Sequence, residues 1–270
     1  MAKRRHISRK KSDDRRGTVY IVAAVAGFML LGGVGIYISL NRVETDKETG
    51  CPKGVLTNVT AVLIDMTDSI GPVQTASLRN TLVAVRDSIP QYGRLEVYAI
   101  GPITLKPLEP IFAGCNPGGP ETASNPLIGN VAMAEKNWKK KFADKLDETV
   151  VKISQLKPQD SSPIFEGIQS VAVTSFGVPM ADNAQRKLVI ISDLIQFGPE
   201  MSMFHGAPNF KTFQDTQYFA KVRTNLQGAN VELIWIPVST QKNIQTPHFQ
   251  DFWLKYIDSV NGTVVRWAPL

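Results

Sequence analysis

Residues 58–69 read Asn-Val-Thr-Ala-Val-Leu-Ile-Asp-Met-Thr-Asp-Ser. The run from Val59 to Ile64 is apolar and β-rich, which predicts a strand over Asn58–Met66 buried on both faces. It leads directly into carboxylates and hydroxyls: Asp65, Thr67, Asp68 and Ser69. Similar apolar runs follow at Arg94–Ile103, Lys187–Ser192, Val231–Val238 and Thr263–Trp267. Between them lie stretches with helical spacing: Pro72–Ile89, Ala134–Leu156, Pro163–Ser175, Phe213–Leu226 and His248–Val260. Strands alternating with helices predict an α/β body, a doubly wound and mostly parallel sheet with helices on both faces. Residues 104–133, rich in proline and glycine, break the rhythm and predict an insertion with little regular structure.

In such a sheet, ligands bind beyond the carboxyl ends of the strands. The first strand ends at Asp65, and Lys187–Ser192 runs into Asp193. Between them, Asp160-Ser161-Ser162-Pro163 opens a helix. These groups are carboxylates and hydroxyls, hard oxygen donors that suit Mg²⁺, Mn²⁺ or Ca²⁺ better than zinc or copper. Each also has an ordinary local role. Asp65 or Ser69 suits a helix cap, Ser162 suits an N-cap with Pro163 at the first helical position, and Asp193 suits a turn.

Asp65-x-Thr67-x-Ser69 after a first strand resembles the metal-ion-dependent adhesion site of von Willebrand factor A domains. Ser162-Pro163, inside Asp160-Ser161-Ser162-Pro163-Ile164-Phe165-Glu166-Gly167, resembles that family's Thr-Pro loop. Ile190-Ile191-Ser192-Asp193-Leu194 resembles its Ile-Ser-Asp-Gly loop. Two positions depart from the pattern: Ser162 stands in place of Thr, and Leu194 in place of Gly. The resemblance runs over about residues 55–267 and implies a metal site made of Asp65, Thr67, Ser69, Ser162 and Asp193. It implies Mg²⁺, with Mn²⁺ or Ca²⁺ as alternatives, and an open position that a Glu or Asp of a protein partner fills. That is a binding module and not an enzyme.

Ahead of this body, Thr18–Leu40 is 23 residues without a charge. As a helix it is roughly 34 Å long, enough to cross a bilayer core of about 30 Å. Eight of the 30 Lys/Arg precede it, against two of the 24 Asp/Glu, so residues 18–270 hold 22 of each. The basic excess belongs to the tail and argues against a nucleic-acid face on the body. The positive-inside rule places residues 1–17 in the cytoplasm and 41–270 on the far side, periplasmic or extracellular, with a bacterial inner membrane the expected setting. The span is too long for a signal-peptide core and lacks a cleavage site, which predicts an uncleaved anchor. Ala23 and Gly27 form a small-xxx-small pair suited to helix–helix contact.

The chain thus divides into a basic tail 1–17, an anchor 18–40, a linker 41–54 and a body 55–270 with its insertion at about 104–133. Cys51 and Cys115, alone in an oxidising compartment, are expected to pair. No nucleophile elbow, Walker loop or dinucleotide fingerprint occurs. Two further roles compete with metal-mediated binding. One is a structural subunit of a membrane or envelope assembly with a non-functional metal site. The other is a metal-dependent phosphoesterase, which has no evident general base or phosphate clamp.

Overall fold

The computed structural model describes residues 5–40, 43–65, 71–101, 106–123, 130–155 and 159–270. It comprises two units, Met1–Glu44 and Thr45–Leu270. The first is dominated by helix α1, Arg5–Leu40. Within it, Gly17–Tyr37 is long and apolar enough to cross a membrane.

The second unit is a six-stranded sheet with helices on both faces. Its strands are β1 Asn58–Ile64, β2 Arg94–Ala99, β3 Phe112–Cys115, β4 Gln185–Ser192, β5 Ala229–Trp235 and β6 Gly262–Pro269, in the order β3-β2-β1-β4-β5-β6. Every pairing is parallel except β2 with β3. The strand order reverses between β1 and β4, so the crevice beyond their carboxyl ends is the topological switch point of the sheet.

Alternation along the strands divides the core. On one face Val62, Ile64, Val189 and Ile191 meet Leu78 and Leu82 of α2 (Pro72–Asp87) and Leu146 and Ile153 of α4 (Asp144–Ser154), and α3 (Val131–Trp138) precedes α4. On the other face Leu63, Leu188, Ile190 and Leu233 meet α5 (Ile164–Val171), α7 (Gln217–Val222) and α8 (Pro247–Ser259), with the short α6 (Phe210–Gln214) beside them. Gly167 brings α5 close to β1, because a Cβ there would stand 3.1 Å from Leu63 Cδ2. Phe165 stacks on Phe213 and Trp253 and meets Tyr256 edge-on, which fixes the start of α5 over the sheet.

Several elements differ from the sequence expectations. Residues 104–133 contain a strand: β3 pairs with β2 from Arg94↔Cys115 to Val97↔Phe112, and a 3₁₀ turn follows at Pro120–Ala123. The sheet edge therefore lies inside the stretch expected to be irregular. The expected linker is partly folded, since Thr45 bridges Pro52 and Gly50 and Cys51 are buried. The helix expected over Phe213–Leu226 is two short helices, because the Thr216 side chain accepts from Phe219 N and starts a new one. Helix α3 passes into α4 through a π-helical turn at Lys139–Ala143, and α5 ends in another at Ala172–Phe176.

Cys51 and Cys115 form a disulfide across 64 residues, with Cα atoms 4.7 Å apart. Cys115 pairs with Arg94, the first residue of β2. The bridge thus ties the chain down at the amino edge of the sheet, opposite the switch-point crevice.

Candidate site at the switch point

Asp65 follows β1 and keeps its backbone in the sheet, donating to Ile191 O at 2.9 Å. Its side chain is almost wholly buried, at 4% exposure. One carboxylate oxygen, Oδ2, accepts from Ser162 Oγ at 2.5 Å and from Ser192 Oγ at 2.9 Å. Ser162 comes from the loop ahead of α5 and Ser192 from the end of β4. Three chain segments distant in sequence therefore converge on one carboxylate. Asp193 stands next to Ser192, and its Oδ1 accepts from Ile195 N at 2.8 Å, an Asx turn. Thr67 and Ser69 lie outside the described residues. Among the described residues, no group of three or more His, Cys, Asp or Glu gathers as a metal cluster.

The expected capping roles are filled by other residues. Helix α2 has Gly71 at its N-cap, with the Gln74 side chain accepting from Gly71 N at 3.0 Å. Ser162 does not cap α5, since its hydroxyl is turned to Asp65. Instead Gln196, fully buried, reaches back from the loop after β4. Its Oε1 accepts from Ile164 N at 2.7 Å and from Phe165 N at 3.2 Å, serving two of the N–H groups that a helix start leaves without partners. The neighbouring Phe197 exchanges backbone bonds with Ser162, N to O at 2.9 Å and O from N at 2.7 Å. The Ser162 loop is thereby clamped to the loop that carries Asp193.

That clamp extends into the core. Gln196 Nε2 donates to Tyr218 OH at 2.9 Å, and Tyr218 OH donates to Glu166 Oε1 at 2.9 Å. Burial, then the nearby Glu166 charge, pushes the Tyr218 phenol far above its ordinary range and keeps it a donor. Burial does the same to Tyr256, again with Glu166 adding to it. On the other side, Gln245 Nε2 donates to Asp193 O at 3.1 Å and to Ile236 O at 2.9 Å, tying the loop to the end of β5.

Leu194 stands where the resembling loops have Gly, and it adopts the glycine-like conformation, with φ of 63°. A branched side chain at positive φ costs about 1–2 kcal/mol. Three contacts hold it there. Leu194 N donates to Ser192 Oγ at 2.8 Å, Leu194 O accepts from Trp253 Nε1 at 3.0 Å, and the side chain is fully buried.

Two residues of the arrangement escaped the sequence reading as side chains with a role. Ser192 had a signal: it follows Leu188 and Ile190 on one face of β4, so a hydroxyl there is polar at a core position. Gln196 had none, because the groups it caps lie about thirty residues earlier.

The donor set is one buried carboxylate, one hydroxyl from a loop, one from the end of β4, and a second carboxylate next to the latter. Such oxygen donors fit a hard divalent cation and not a soft one. No protein-family model matches the chain, and no curated protein matches it. Among solved structures, an aerotolerance-related membrane protein from Bacteroides fragilis, crystallised with multiple mutations to serine, is similar to this chain. The TM-score is 0.36 and the identity 9%, over 79% of this chain and 91% of that one.

Proposed function

We propose that this chain is a membrane-tethered binding module of the von Willebrand factor A type, holding a divalent cation at Asp65 to recognise a carboxylate of a partner protein. The observation that carries the reading is the convergence of Ser162 and Ser192 on Asp65 Oδ2 at the switch point. When bound, the cation supplies positive charge at a coordination position that an incoming Glu or Asp fills. Asp65 supplies the central negative charge, and Ser162 and Ser192 fix its orientation. Thr67, Ser69, Ser162 and Asp193 complete, with Asp65, the ligand set that the loop resemblance implies, with Mg²⁺ the expected ion. Gln196 and its bonds to the α5 start hold the Ser162 hydroxyl in reach. The sequence offers no evident general base or phosphate clamp beside this oxygen cluster, so its role is binding and not turnover.

Helix α1 is the anchor in this reading. Its basic amino-terminal flank places residues 1–17 in the cytoplasm and 41–270 on the far side, within an envelope complex. The partner's association with the full chain in membranes is expected in Mg²⁺ and lost both in EDTA and in Asp65→Ala. If neither treatment changes it, metal-mediated recognition is wrong.

One observation favours a second reading. Asp65 Oδ2 is already served by two hydroxyls, so these groups form a self-sufficient buried cluster. In that case the chain is a structural subunit whose metal site is not used. Association that depends on residues 106–132 and ignores EDTA would select it.

A further inference from the structure

Away from the switch point, α2 and α4 run side by side over one face of the sheet with a groove of about 750 Å³ between them. Helix α2 lines it with Thr75, Ala76 and Arg79, a stripe at helical spacing made mostly of small residues. Helix α4 lines the opposite wall with Asp144, Asp147, Glu148 and Val151. Val151 is 55% exposed, an apolar group left to solvent in the groove wall. The charge is lopsided: three carboxylates face one guanidinium. None of the three carboxylates enters an ion pair among the described residues. The lysines of the same segment, Lys139, Lys140, Lys141, Lys145 and Lys152, lie outside the lining, with Lys139 near enough to Asp144 for their charges to interact.

We infer that this groove docks an amphipathic helix of a protein partner, one with small apolar residues along one stripe and Lys or Arg on its flanks. Small residues on α2 allow a third helix to approach at an ordinary interaxial distance of about 8–10 Å. An apolar stripe at i, i+3, i+4 and i+7 covers Ala76 and Val151, the usual way a helix seats in a groove. Flanking cations meet Asp144, Asp147 and Glu148 and set the orientation. The inference goes beyond the cation reading and does not depend on it.

The test uses the full-length chain in nonionic detergent. The probe is a synthetic helical peptide of about three to four turns, with Ala and Leu on one face, Lys on the flanks and a benzophenone at its centre. Its control has Glu in place of every Lys. Saturable binding of the Lys peptide is expected, with cross-links mapping to residues 72–79 and 144–154. The double variant Asp147→Lys, Glu148→Lys should weaken it at least about tenfold, near 1.4 kcal/mol. Ala76→Trp, which fills the groove from the other wall, should weaken it similarly, and both variants should keep the wild-type circular dichroism. Asp65→Ala should leave the affinity within about twofold, so failure of the metal reading and failure of this one are distinguishable. Equal binding of the Glu peptide, cross-links elsewhere, an unchanged affinity in the charge-reversed protein, or no protein-dependent binding would each overturn the inference.

Discussion

At the scale of single residues, the decisive group is Asp65, a nearly buried carboxylate held by hydroxyls from the loop ahead of α5 and from the end of β4. Asp65 and Ser162, which the structure brings into hydrogen-bond contact, stood out in the sequence because each stands at a strand end or helix start, where this class of sheet binds ligands. Ser192 and Gln196 were not assigned roles, because those roles depend on partners that only the fold brings near. Leu194 gives a residue-scale prediction. Leu194→Gly relieves about 1–2 kcal/mol of backbone strain. It also removes a fully buried side chain, and truncating such a leucine costs about 2–5 kcal/mol. Glycine adds about 0.5–1 kcal/mol of unfolded-state entropy. Packing therefore wins, and urea denaturation should show Leu194→Gly less stable, by about 0.5–5 kcal/mol from these terms. A stabilised variant would mean that the strain at Leu194 outweighs its packing.

At the scale of elements, the central strands and their covering helices were readable as long apolar runs and amphipathic stripes. β3 was not, because four residues among prolines and glycines carry no period, and its partner is β2. The break between α6 and α7 also escaped, since the Thr216 cap is a one-residue signal inside an otherwise helical stretch. The disulfide gives the element-scale prediction. It fastens the end of β3 at the amino edge of the sheet, while Asp65 lies at the carboxyl edge. Closing a loop of 64 residues is worth roughly 4 kcal/mol in the chain-entropy account. Cys51→Ser with Cys115→Ser should lower the melting temperature of the full chain in non-reducing buffer. The Mn²⁺ dissociation constant should move less than about threefold, under roughly 0.7 kcal/mol. A larger loss of affinity would mean that residues 104–133 reach the carboxyl edge of the sheet, where Asp65 lies.

At the scale of the whole molecule, the chain pairs one long apolar helix with an α/β unit whose charges balance. The long apolar helix was legible from length and composition alone, and it is long enough to cross a membrane, because a bilayer sets the length of what crosses it. Its orientation is a prediction from the basic flank. Protease added to intact spheroplasts should degrade residues 45–270 and leave an N-terminal fragment in the membrane. The same fragment appearing only after lysis would reverse the orientation and with it the oxidising setting of Cys51 and Cys115.

The central claim, that the oxygen cluster at the switch point is a cation site, is tested most directly by titrating Mn²⁺ into the full-length chain in detergent and counting free ion by electron paramagnetic resonance. The account predicts one saturable site per chain, competed by Mg²⁺. It predicts that the site is lost in Asp65→Ala while the circular dichroism of the variant matches wild type. Failure of wild-type protein to bind Mn²⁺, or equal binding by Asp65→Ala, would contradict it and leave the hydroxyl-bonded carboxylate as a purely structural cluster.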